Sequence, residues 1–588
     1  MMCFPTGWDC GTIRPRPICR PYRTWLREEN TMTMHPQLVY IIPTETERVA
    51  RAAFPWGSAI MRIRDELGML FDDRDFARLF AAVGQPAVSP SRLMLITIFQ
   101  FMEGLTDRQA ADAVRRCIDW KYALALELTD PGFDFSVLCE FRDRLLAAEQ
   151  GPALLTQLLE VCRARGLVHA RGKQRTDATH VLAAIRTLNR LECLGETVAH
   201  TLHQLLRDSP AWARATIPAD WWDRYAQRFD QFRLPTTLPK RQALAEAIGT
   251  DGQQLLSWAA APTAPALVQT HTAVVLLRQI WLQQFYADEG PIRLRSDADL
   301  PPAALLIGSP YDPDARLSTK RDTTWNGYKV HLTETCDPDG PNLITDVRTT
   351  PATTADVCIT ATIHTALAER DLLPAEHYVD SAYPDAATLV SSRERHAIDL
   401  LGPVHRDTSW QAQAGQGFDL ACFGVDWEAQ QVVCPQGQVS RVWSPSQDGH
   451  GNAVIHIQFE RTVCGECAQR ARCTQAKSGP RTLKLRPKAQ HEALQAARQR
   501  QETEGFKQRY RLRAGVEGTI AQGVQACDLR SARYRGLTKT ALQHIFTALA
   551  LNLIRLVAWW DERPRAQTRQ SRFTAALKAT AAPVAVCG

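Results

Sequence analysis

The sequence has neither a long uninterrupted apolar run nor an apolar N-terminal segment. Its most apolar stretch, residues 541–560, is broken by polar side chains at Gln543, His544, Asn552 and Arg555. Charge near the centre of a membrane span is costly in lipid, so we expect no membrane-spanning helix. Residues 1–31 carry little pattern and lack the apolar core of a signal peptide, which predicts a protein that is not exported.

Disulfides are not expected either. Because no export signal is present, the 16 cysteines are better explained as thiols or metal ligands in a reducing compartment. A hydrophobic content of 45% and a charged content of 22% are ordinary for a globular protein and exclude wholesale disorder. A chain of 588 residues is too long for one hydrophobic core, so several domains are expected.

The net charge of +6 is small, but it is unevenly distributed along the chain. Residues 481–580 hold 20 Lys and Arg against 7 Asp and Glu, whereas the remainder holds 49 against 56. A basic C-terminal block on an otherwise acidic chain suggests a polyanion bound at that block. The alternative is a basic helix face that is simply solvated.

The N-terminal part of the chain predicts short helices over residues 51–160, after a poorly patterned extension at residues 1–50. Thr106 followed by Gln109 forms a capping box, and Ser89 or Ser91 can cap the apolar segment that follows. A compact helical unit of this kind either binds DNA, as a helix-turn-helix does, or packs and dimerises.

From Leu167 onward the pattern changes to strands alternating with helices. Residues 175–181 predict a strand that ends on an exposed carboxylate, and residues 183–290 predict helices. More than 100 residues far exceed a normal connection, so the second range is interpreted as an inserted helical subdomain. Further elements follow in the order strand, strand, helix, strand, helix and strand, at residues 328–333, 343–348, 355–371, 378–380, after 384, and 397–404.

Three carboxylates, Asp177, Asp380 and Glu517, stand in three separate segments. Divalent ions that activate water and stabilise a transferring phosphate prefer such oxygen ligands, and two ions can share them at about 4 Å separation. Taken alone, Asp177 is better explained as a turn or cap residue, as most aspartates after a strand are. Asp385 is the rival to Asp380, although it is better placed to interact with the dipole of the next helix.

The segment around Glu517 carries the most local information. On one helix, Tyr510, Arg513 and Glu517 would share a face. Arg513 can then pair with Glu517 or reach a phosphate, the alternative being a surface salt bridge. Gly515 and Gly518 flank the glutamate, and each costs a helix about 1 kcal/mol. Close approach of DNA or of a neighbouring strand would explain them.

Two further clusters lie in the C-terminal half. Cys434, Cys464, Cys467 and Cys473 have the residue type and number of a tetrahedral structural zinc site, with free thiols in a β-rich insert as the alternative. Four thiolates leave no open coordination position, so a catalytic role is not expected. The second cluster is a predicted DNA-binding set whose arginine forks suit phosphates and whose tyrosine can stack on an unpaired base. It comprises Arg530, Arg533, Tyr534, Arg535 and Lys539. The alternative is a basic turn that packs on the next helix.

Taken together, these segments resemble bacterial insertion-sequence transposases of the DDE (Asp-Asp-Glu) class, in the branch with a Tyr-Arg-Glu signature. The resemblance covers about residues 165–405 and 505–560, and similar Cys-rich inserts precede the catalytic Glu in that family. The helices around Gly104–Gln109 and Phe135–Arg142 resemble the N-terminal helical domain that accompanies many of these transposases. This chain departs from the family pattern at Ala382, where Gly is common, and at Val524, where Lys is common. The segments that carry the resemblance to the catalytic part are Arg175–Thr179, Trp325–Lys329, Asp356, Tyr378–Tyr383 and Tyr510–Gly518.

The resemblance implies an α/β fold with an RNase H-like mixed-sheet catalytic core and several added parts. It implies a helical N-terminal DNA-binding or dimerisation domain, a helical insertion after the first strand and a Cys-rich β insertion before the last catalytic helix. The expected parts are the N-terminal domain at 51–160, the core at 165–182 and 291–405, the helical insertion at 183–290, the Cys-rich insertion at 406–485, the C-terminal catalytic helices at 490–560 and a basic tail at 561–588.

The resemblance also implies the chemistry. Asp177, Asp380 and Glu517 would hold two Mg²⁺ or Mn²⁺ ions, with Tyr510 and Arg513 supporting them. The expected partners are double-stranded DNA, as terminal inverted repeats and target, and a second copy of the chain on that DNA, in the bacterial cytoplasm at the nucleoid. The alternatives are a domesticated, catalytically silent DNA-binding protein and an RNase H-like nuclease acting on other nucleic acid.

Overall fold

A computed structural model describes residues 32–564, except residues 38, 82–83, 230–233, 287–290, 321 and 450. The predicted N-terminal extension therefore lies mostly outside the described residues, and so does nearly all of the predicted basic tail at 561–588.

The N-terminal region is helical, as predicted. The capping box is confirmed, because Thr106 accepts a hydrogen bond from Gln109 N at 3.3 Å and Gln109 accepts one from Thr106 N at 2.9 Å. Ser89 caps the following helix by accepting from Arg92 N. The elements are β1 (Met32–Thr33), α1 (Thr44–Ala53), α2 (Ala59–Leu67), β2 (Gln85–Pro86), α3 (Pro90–Met102), α4 (Asp107–Arg116), α5 (Ile118–Ala123), α6 (Ser136–Ala147) and α7 (Gly151–Ala164).

The first strand of the central sheet, β3 (Lys173–Leu182), leads into a long helical segment with a hydrophobic core of its own. Trp221 and Trp281 are buried in that core, so the tryptophans of this segment serve packing. The prediction of helices for residues 183–290 is confirmed over the described residues. The elements are α8 (Arg190–Asp208), α9 (Pro210–Thr216), α10 (Ala219–Ala226), α11 (Leu238–Ala260), α12 (Ala266–Gln269), α13 (Thr272–Gln284), β4 (Phe285–Tyr286) and β5 (Arg293–Leu294).

The central sheet is mixed, with the strand order β10-β9-β3-β7-β8 and with β6 also paired to β7. Strand β3 is antiparallel to β7 and parallel to β9. This order is compatible with an RNase H-like core, because the first strand lies at the centre between the second and the fourth. The remaining elements are β6 (Arg316–Lys320), β7 (Thr323–Thr335), β8 (Ile344–Pro351), α14 (Val357–Glu369), β9 (Glu376–Val379), α15 (Ala386–His396) and β10 (Asp399–Leu401).

The cysteine-rich region forms small antiparallel sheets with short helices. Strands β11 and β12 form a hairpin, and β13, β14 and β15 form a three-stranded sheet. Its buried apolar core is small, with Phe459 and Leu485 among its members. The elements are α16 (Trp410–Gln413), β11 (Gly424–Asp426), β12 (Gln431–Val433), β13 (Val442–Gln447), β14 (Ala453–Gln458), α17 (Arg461–Glu466), α18 (Arg470–Cys473) and β15 (Thr482–Leu485).

The C-terminal helices return the chain to the sheet and to the N-terminal region. They are α19 (Lys488–Gln501), α20 (Glu504–Tyr510), α21 (Gly515–Cys527) and α22 (Leu537–Trp560), with a 3-10 turn at Arg511–Ala514. Among the described residues, α22 is the one helix that is both long enough and apolar enough to cross a membrane. However, 72% of its most apolar part is buried inside the protein. Its Asn552 side chain accepts from Ile344 N and donates to Ile344 O, which fixes α22 to β8. Helix α22 is therefore a core helix.

Candidate active site

Strand register brings Asp177 and Asp380 together. Thr176 pairs with Val379 at the end of the parallel β3–β9 ladder. The residue that follows each of them in sequence is an aspartate, Asp177 and Asp380. The Asp177 carboxylate accepts from Ala178 N at 2.8 Å, and the Asp380 carboxylate accepts from Ser381 N at 2.7 Å. Each carboxylate is therefore oriented by the backbone that follows it.

Arg513 links this pair to the third carboxylate. Its Nη2 donates to Asp177 Oδ2 at 2.5 Å, and its Nη1 donates to Glu517 Oε1 at 2.8 Å. The side chains of Asp177 and Arg513 are 13% and 15% exposed, whereas that of Glu517 is 66% exposed. The three predicted site residues therefore lie around one guanidinium, with Glu517 on the solvent side.

The electrostatics of the site follow from this burial. Desolvation raises the pKa of Asp177, the Arg513 guanidinium opposes that rise, and the nearby Asp380 adds to it. Burial lowers the pKa of Arg513, but Asp177 and Asp380 together bring it above its usual range. Lys320 on β6, which the sequence analysis did not single out, also lowers the pKa of Asp177.

The predicted single helical face through Tyr510, Arg513 and Glu517 is wrong in detail. Helix α20 ends at Tyr510, a 3-10 turn holds Arg513, and α21 begins at Gly515. At this turn, Arg175 Nη1 on β3 donates to Leu512 O at 2.7 Å, and the Arg175 guanidinium lies against Gly515. Short 3-10 segments are common where one helix ends and another begins.

Tyr510 contacts the backbone next to Asp380. Its hydroxyl donates to Val379 O at 3.1 Å, one residue before Asp380, and its ring stacks on Phe506 with centroids 5.4 Å apart. Burial raises the pKa of Tyr510 to about 12, so the hydroxyl stays protonated at neutral pH. Asp385, the rival carboxylate, caps α15 by accepting from Thr388 N at 2.7 Å.

The other motif residues that carry the family resemblance, on β7 and at the start of α14, have structural roles. Lys329 donates to Asp356 Oδ1 at 2.9 Å and to Thr354 O at 2.7 Å, which ties β7 to the start of α14. Gly327 has φ +154°, and a Cβ there would lie 2.2 Å from Val181 O. Glycine is thus required for the close approach of β7 to β3.

The predicted DNA-binding residues fall into two groups. Arg530 and Arg535 are exposed, and Arg530 Nε donates to Thr179 Oγ1 at 2.9 Å, on the same face of β3 as Asp177. Arg533 donates to Leu105 O at 3.0 Å, and Tyr534 lies under the guanidinium of Arg142, so both pack on the N-terminal helices.

Lys539, the last residue of this predicted set, also lies against the N-terminal region. Its Nζ donates to Asp143 Oδ1 at 2.9 Å, with both side chains partly exposed. Lys539 thus forms a surface ion pair between α22 and α6.

The four predicted zinc ligands line one small cavity together with Arg470 and Arg481, and the cysteines of the described part of the chain are free thiols. Two backbone N–H groups, those of Gln436 and Gln438, point at Cys434 Sγ from 3.4 Å. Nonetheless, in residues 32–564 with the gaps named above, no three His, Cys, Asp or Glu side chains stand at metal-binding geometry. At the three carboxylates, the Arg513 guanidinium lies between Asp177 and Glu517 and donates to both.

Two family models match the chain. A model described as a transposase DDE domain matches residues 433–557, which include Glu517 and the four cysteines. A model described as a transposase domain (DUF772) matches residues 58–144, which include helices α2 to α6 apart from the last three residues of α6. No curated protein matches the chain.

Proposed function

Since the chain belongs to the insertion-sequence transposases of the DDE class, which are metal-dependent polynucleotidyl transferases acting on DNA, we propose that it cleaves and joins DNA strands at the ends of its own insertion sequence. The proposal rests mainly on one observation. The register of β3 and β9 sets Asp177 beside Asp380, and Arg513 connects that pair to Glu517.

In the proposed mechanism, Asp177, Asp380 and Glu517 are the ligands of two Mg²⁺ or Mn²⁺ ions. When bound, the ions activate water for strand cleavage, activate the freed 3′-hydroxyl for joining, and stabilise the entering and leaving oxygens. Asp177 and Asp380 are held by backbone N–H groups, and Glu517 stands at the exposed edge. Once the carboxylates are engaged with cations, Arg513 can turn its fork of donors to a DNA phosphate.

The proposed division of the chain follows the expectations from sequence. We assign the RNase H-like core to residues 165–182 and 291–405, with the helical segment 183–290 and the cysteine-rich segment 406–485 as insertions. The strand order of the central sheet supports this assignment. Residues 490–560 supply the catalytic helices, and residues 51–160 supply DNA binding or dimerisation.

The proposed partners are the terminal inverted repeats, the target DNA and a second copy of the chain, at the bacterial nucleoid. Exposed Arg530, bonded to β3 two residues beyond Asp177, and exposed Arg535 are the members of the basic set best placed for phosphates. Arg533, Tyr534 and Lys539 would act on DNA only if they left their contacts with the N-terminal helices.

We also propose a structural zinc ion at Cys434, Cys464, Cys467 and Cys473. All four line one cavity, two N–H groups face Cys434 Sγ as they would face a thiolate, and the surrounding core is small. Metal analysis of the purified protein should find one zinc per chain, and Cys464→Ser with Cys467→Ser should remove it. Four freely titrating thiols in a metal-free, folded protein would sink this assignment.

The function is tested by cleavage of element-end DNA with Mg²⁺. Glu517→Ala should abolish strand cleavage and keep DNA binding, because Glu517 is exposed and contributes little to folding. Glu504→Ala is the matched control, since Glu504 is an exposed acid of α20 that pairs with Lys507. Unaltered cleavage by Glu517→Ala would remove Glu517 from the site.

The same assay separates the alternatives. A wild-type protein that binds end DNA but never nicks it with Mg²⁺ or Mn²⁺ would be a silent DNA-binding protein. A protein that cuts DNA without joining the products to new DNA would be a nuclease. Inverted repeats in the DNA flanking the gene would supply the natural substrate for the assay.

A further inference from the structure

A buried carboxylate lies behind the candidate site and is shared by three elements. Glu334 on β7 is fully buried, and its oxygens accept from Arg175 Nε, Arg555 Nη1 and Thr519 Oγ1, each at 2.6 Å. Arg175 lies on β3, two residues before Asp177, and Arg555 lies on α22. We call Glu334, Arg175 and Arg555 the anchor triad.

The anchor triad holds one face of α21 and the turn before it. Arg175 Nη1 donates to Leu512 O at 2.7 Å, and a Cβ on Gly515 would lie 1.9 Å from that nitrogen. Arg555 donates to Thr519 Oγ1 at 2.7 Å and to Gln522 Oε1 at 3.0 Å. Helix α21 is therefore fixed at residues spaced along the side that faces the sheet.

Glu517 stands on the same helix but away from that face. Its side chain is 66% exposed and accepts from Arg513 Nη1 at 2.8 Å, so apolar packing around the side chain does not set its position. The position of Glu517 relative to Asp177 and Asp380 follows from where the backbone of α21 lies. That backbone is held on its sheet side by the contacts of the anchor triad together with the buried apolar residues Val516 and Ile520.

We propose that Glu334, Arg175 and Arg555 are positioning residues that hold the backbone of α21 where the Glu517 side chain can reach a metal ion shared with Asp177 and Asp380. This inference rests on the proposed function, in which Glu517 is a metal ligand. A buried ion network is weak as a source of stability compared with apolar packing, but its directional bonds specify one arrangement. That property suits a helix whose functional residue has no packing of its own.

The test compares Glu334→Gln with a matched control, Asp346→Asn. Asp346 on β8 is also a buried acid held by two arginines, Arg348 and Arg370, each at 2.8 Å. Both substitutions leave two guanidinium groups without their anion. The measurements are the Mg²⁺ concentration for half-maximal cleavage of end DNA, the affinity for that DNA, and thermal unfolding.

The expected result is that Glu334→Gln raises the Mg²⁺ requirement by about tenfold or more while DNA affinity stays the same. Asp346→Asn should lower the unfolding temperature without changing the Mg²⁺ requirement. Arg555→Lys keeps the charge but cannot fork to both Glu334 and Thr519, so it should raise the Mg²⁺ requirement by a smaller factor. It carries the test if Glu334→Gln does not fold.

An unchanged Mg²⁺ requirement in the folded Glu334→Gln or Arg555→Lys protein would overturn the positioning role. If the Mg²⁺ requirement is unchanged in the triad variants while Glu517→Ala is inactive, only the positioning role of the anchor triad is overturned. If Glu517→Ala cleaves normally, the proposed function fails, and the positioning role fails with it.

Discussion

The carboxylates of the candidate site are held in two different ways. Asp177 and Asp380 are placed by the register of adjacent parallel strands, and each is oriented by its own backbone. Glu517 is placed by a helix that is fixed through a buried ion network reaching three other elements. The site therefore combines a rigid part, set by local strand pairing, with a second part that we call adjustable because substitutions of distant side chains should shift it.

The largest expected effect comes from breaking the rigid part. Asp380→Ala should reduce strand cleavage about a thousandfold, because losing a shared metal ligand removes several kcal/mol of transition-state stabilisation. Single-turnover cleavage of end DNA measures the loss. Asp385→Ala is the control, since it removes the cap of α15 and should cost about 1 kcal/mol of stability without loss of chemistry. Equal loss in both variants would contradict the assignment.

The folding stability of the rigid part should also decrease at acid pH. His377 and His364 are buried with ring nitrogens 2.9 Å apart, and His377 lies 2.7 Å from Thr176 Oγ1, which links β9 to β3. Burial lowers the pKa of His364 to about 4 and that of His377 well below the usual range. On acidification, the unfolded chain therefore takes up protons at these histidines before the folded chain does. The contribution of the neutral histidine pair to the free energy of unfolding is complete above about pH 6.5 and is lost as the pH falls towards 4.

His364→Gln should reduce the slope of unfolding free energy against pH in that window, by up to about 3 kcal/mol in total. Urea unfolding at several pH values measures the slope. His169→Gln, at an exposed histidine, is the comparison variant. A slope equal to wild type in His364→Gln would show that the histidine pair does not titrate on unfolding.

The two glycines beside Glu517 test the adjustable part. Gly515→Ala would press on the Arg175 guanidinium, which is held by Leu512 O and Glu334, and should cost about 1–3 kcal/mol. A Cβ on Gly518 meets no atom within 4 Å, so Gly518→Ala should stabilise α21 by up to about 1 kcal/mol. Denaturant unfolding checks both signs. Destabilisation by Gly518→Ala alone would contradict this description of the helix.

The smallest expected effect is at the contact between the two parts. Tyr510→Phe removes the hydrogen bond to Val379 O and should cost about 1 kcal/mol, with a few-fold loss of cleavage rate. The Mg²⁺ requirement should shift less than in Glu334→Gln. A larger shift in Tyr510→Phe would mean that the stacked tyrosine, and not the anchor triad, fixes the helix.

Much of the rigid part could be predicted from the sequence. The sequence predicts strands at residues 175–181 and 378–380, although Asp177 lies within β3 with a 13% exposed side chain and not at an exposed strand end. The capping box at Thr106 likewise predicts a helix from local hydrogen bonds. The break before Gly515 could not be predicted, because the turn contacts Arg175, which lies more than 300 positions away in the chain. Glu334 gave no local signal, since a single acid near the end of a threonine-rich strand resembles a solvent-facing residue until its partners are known.

The basic cluster illustrates the same limit. Arg533 and Tyr534 have the residue types of a DNA contact, and yet they pack on Leu105 and Arg142 of the N-terminal helices. Local composition cannot distinguish a solvent-facing arginine from one that bridges two regions. The order of motifs, by contrast, sufficed to indicate the family.

The proposed site is tested most directly by locating Mn²⁺ by anomalous scattering in crystals of the protein bound to its end DNA. We expect two manganese ions ligated by Asp177, Asp380 and Glu517, with Arg513 turned away from the carboxylates. Manganese bound elsewhere, or Arg513 still bridging Asp177 and Glu517 in an active complex, would contradict it.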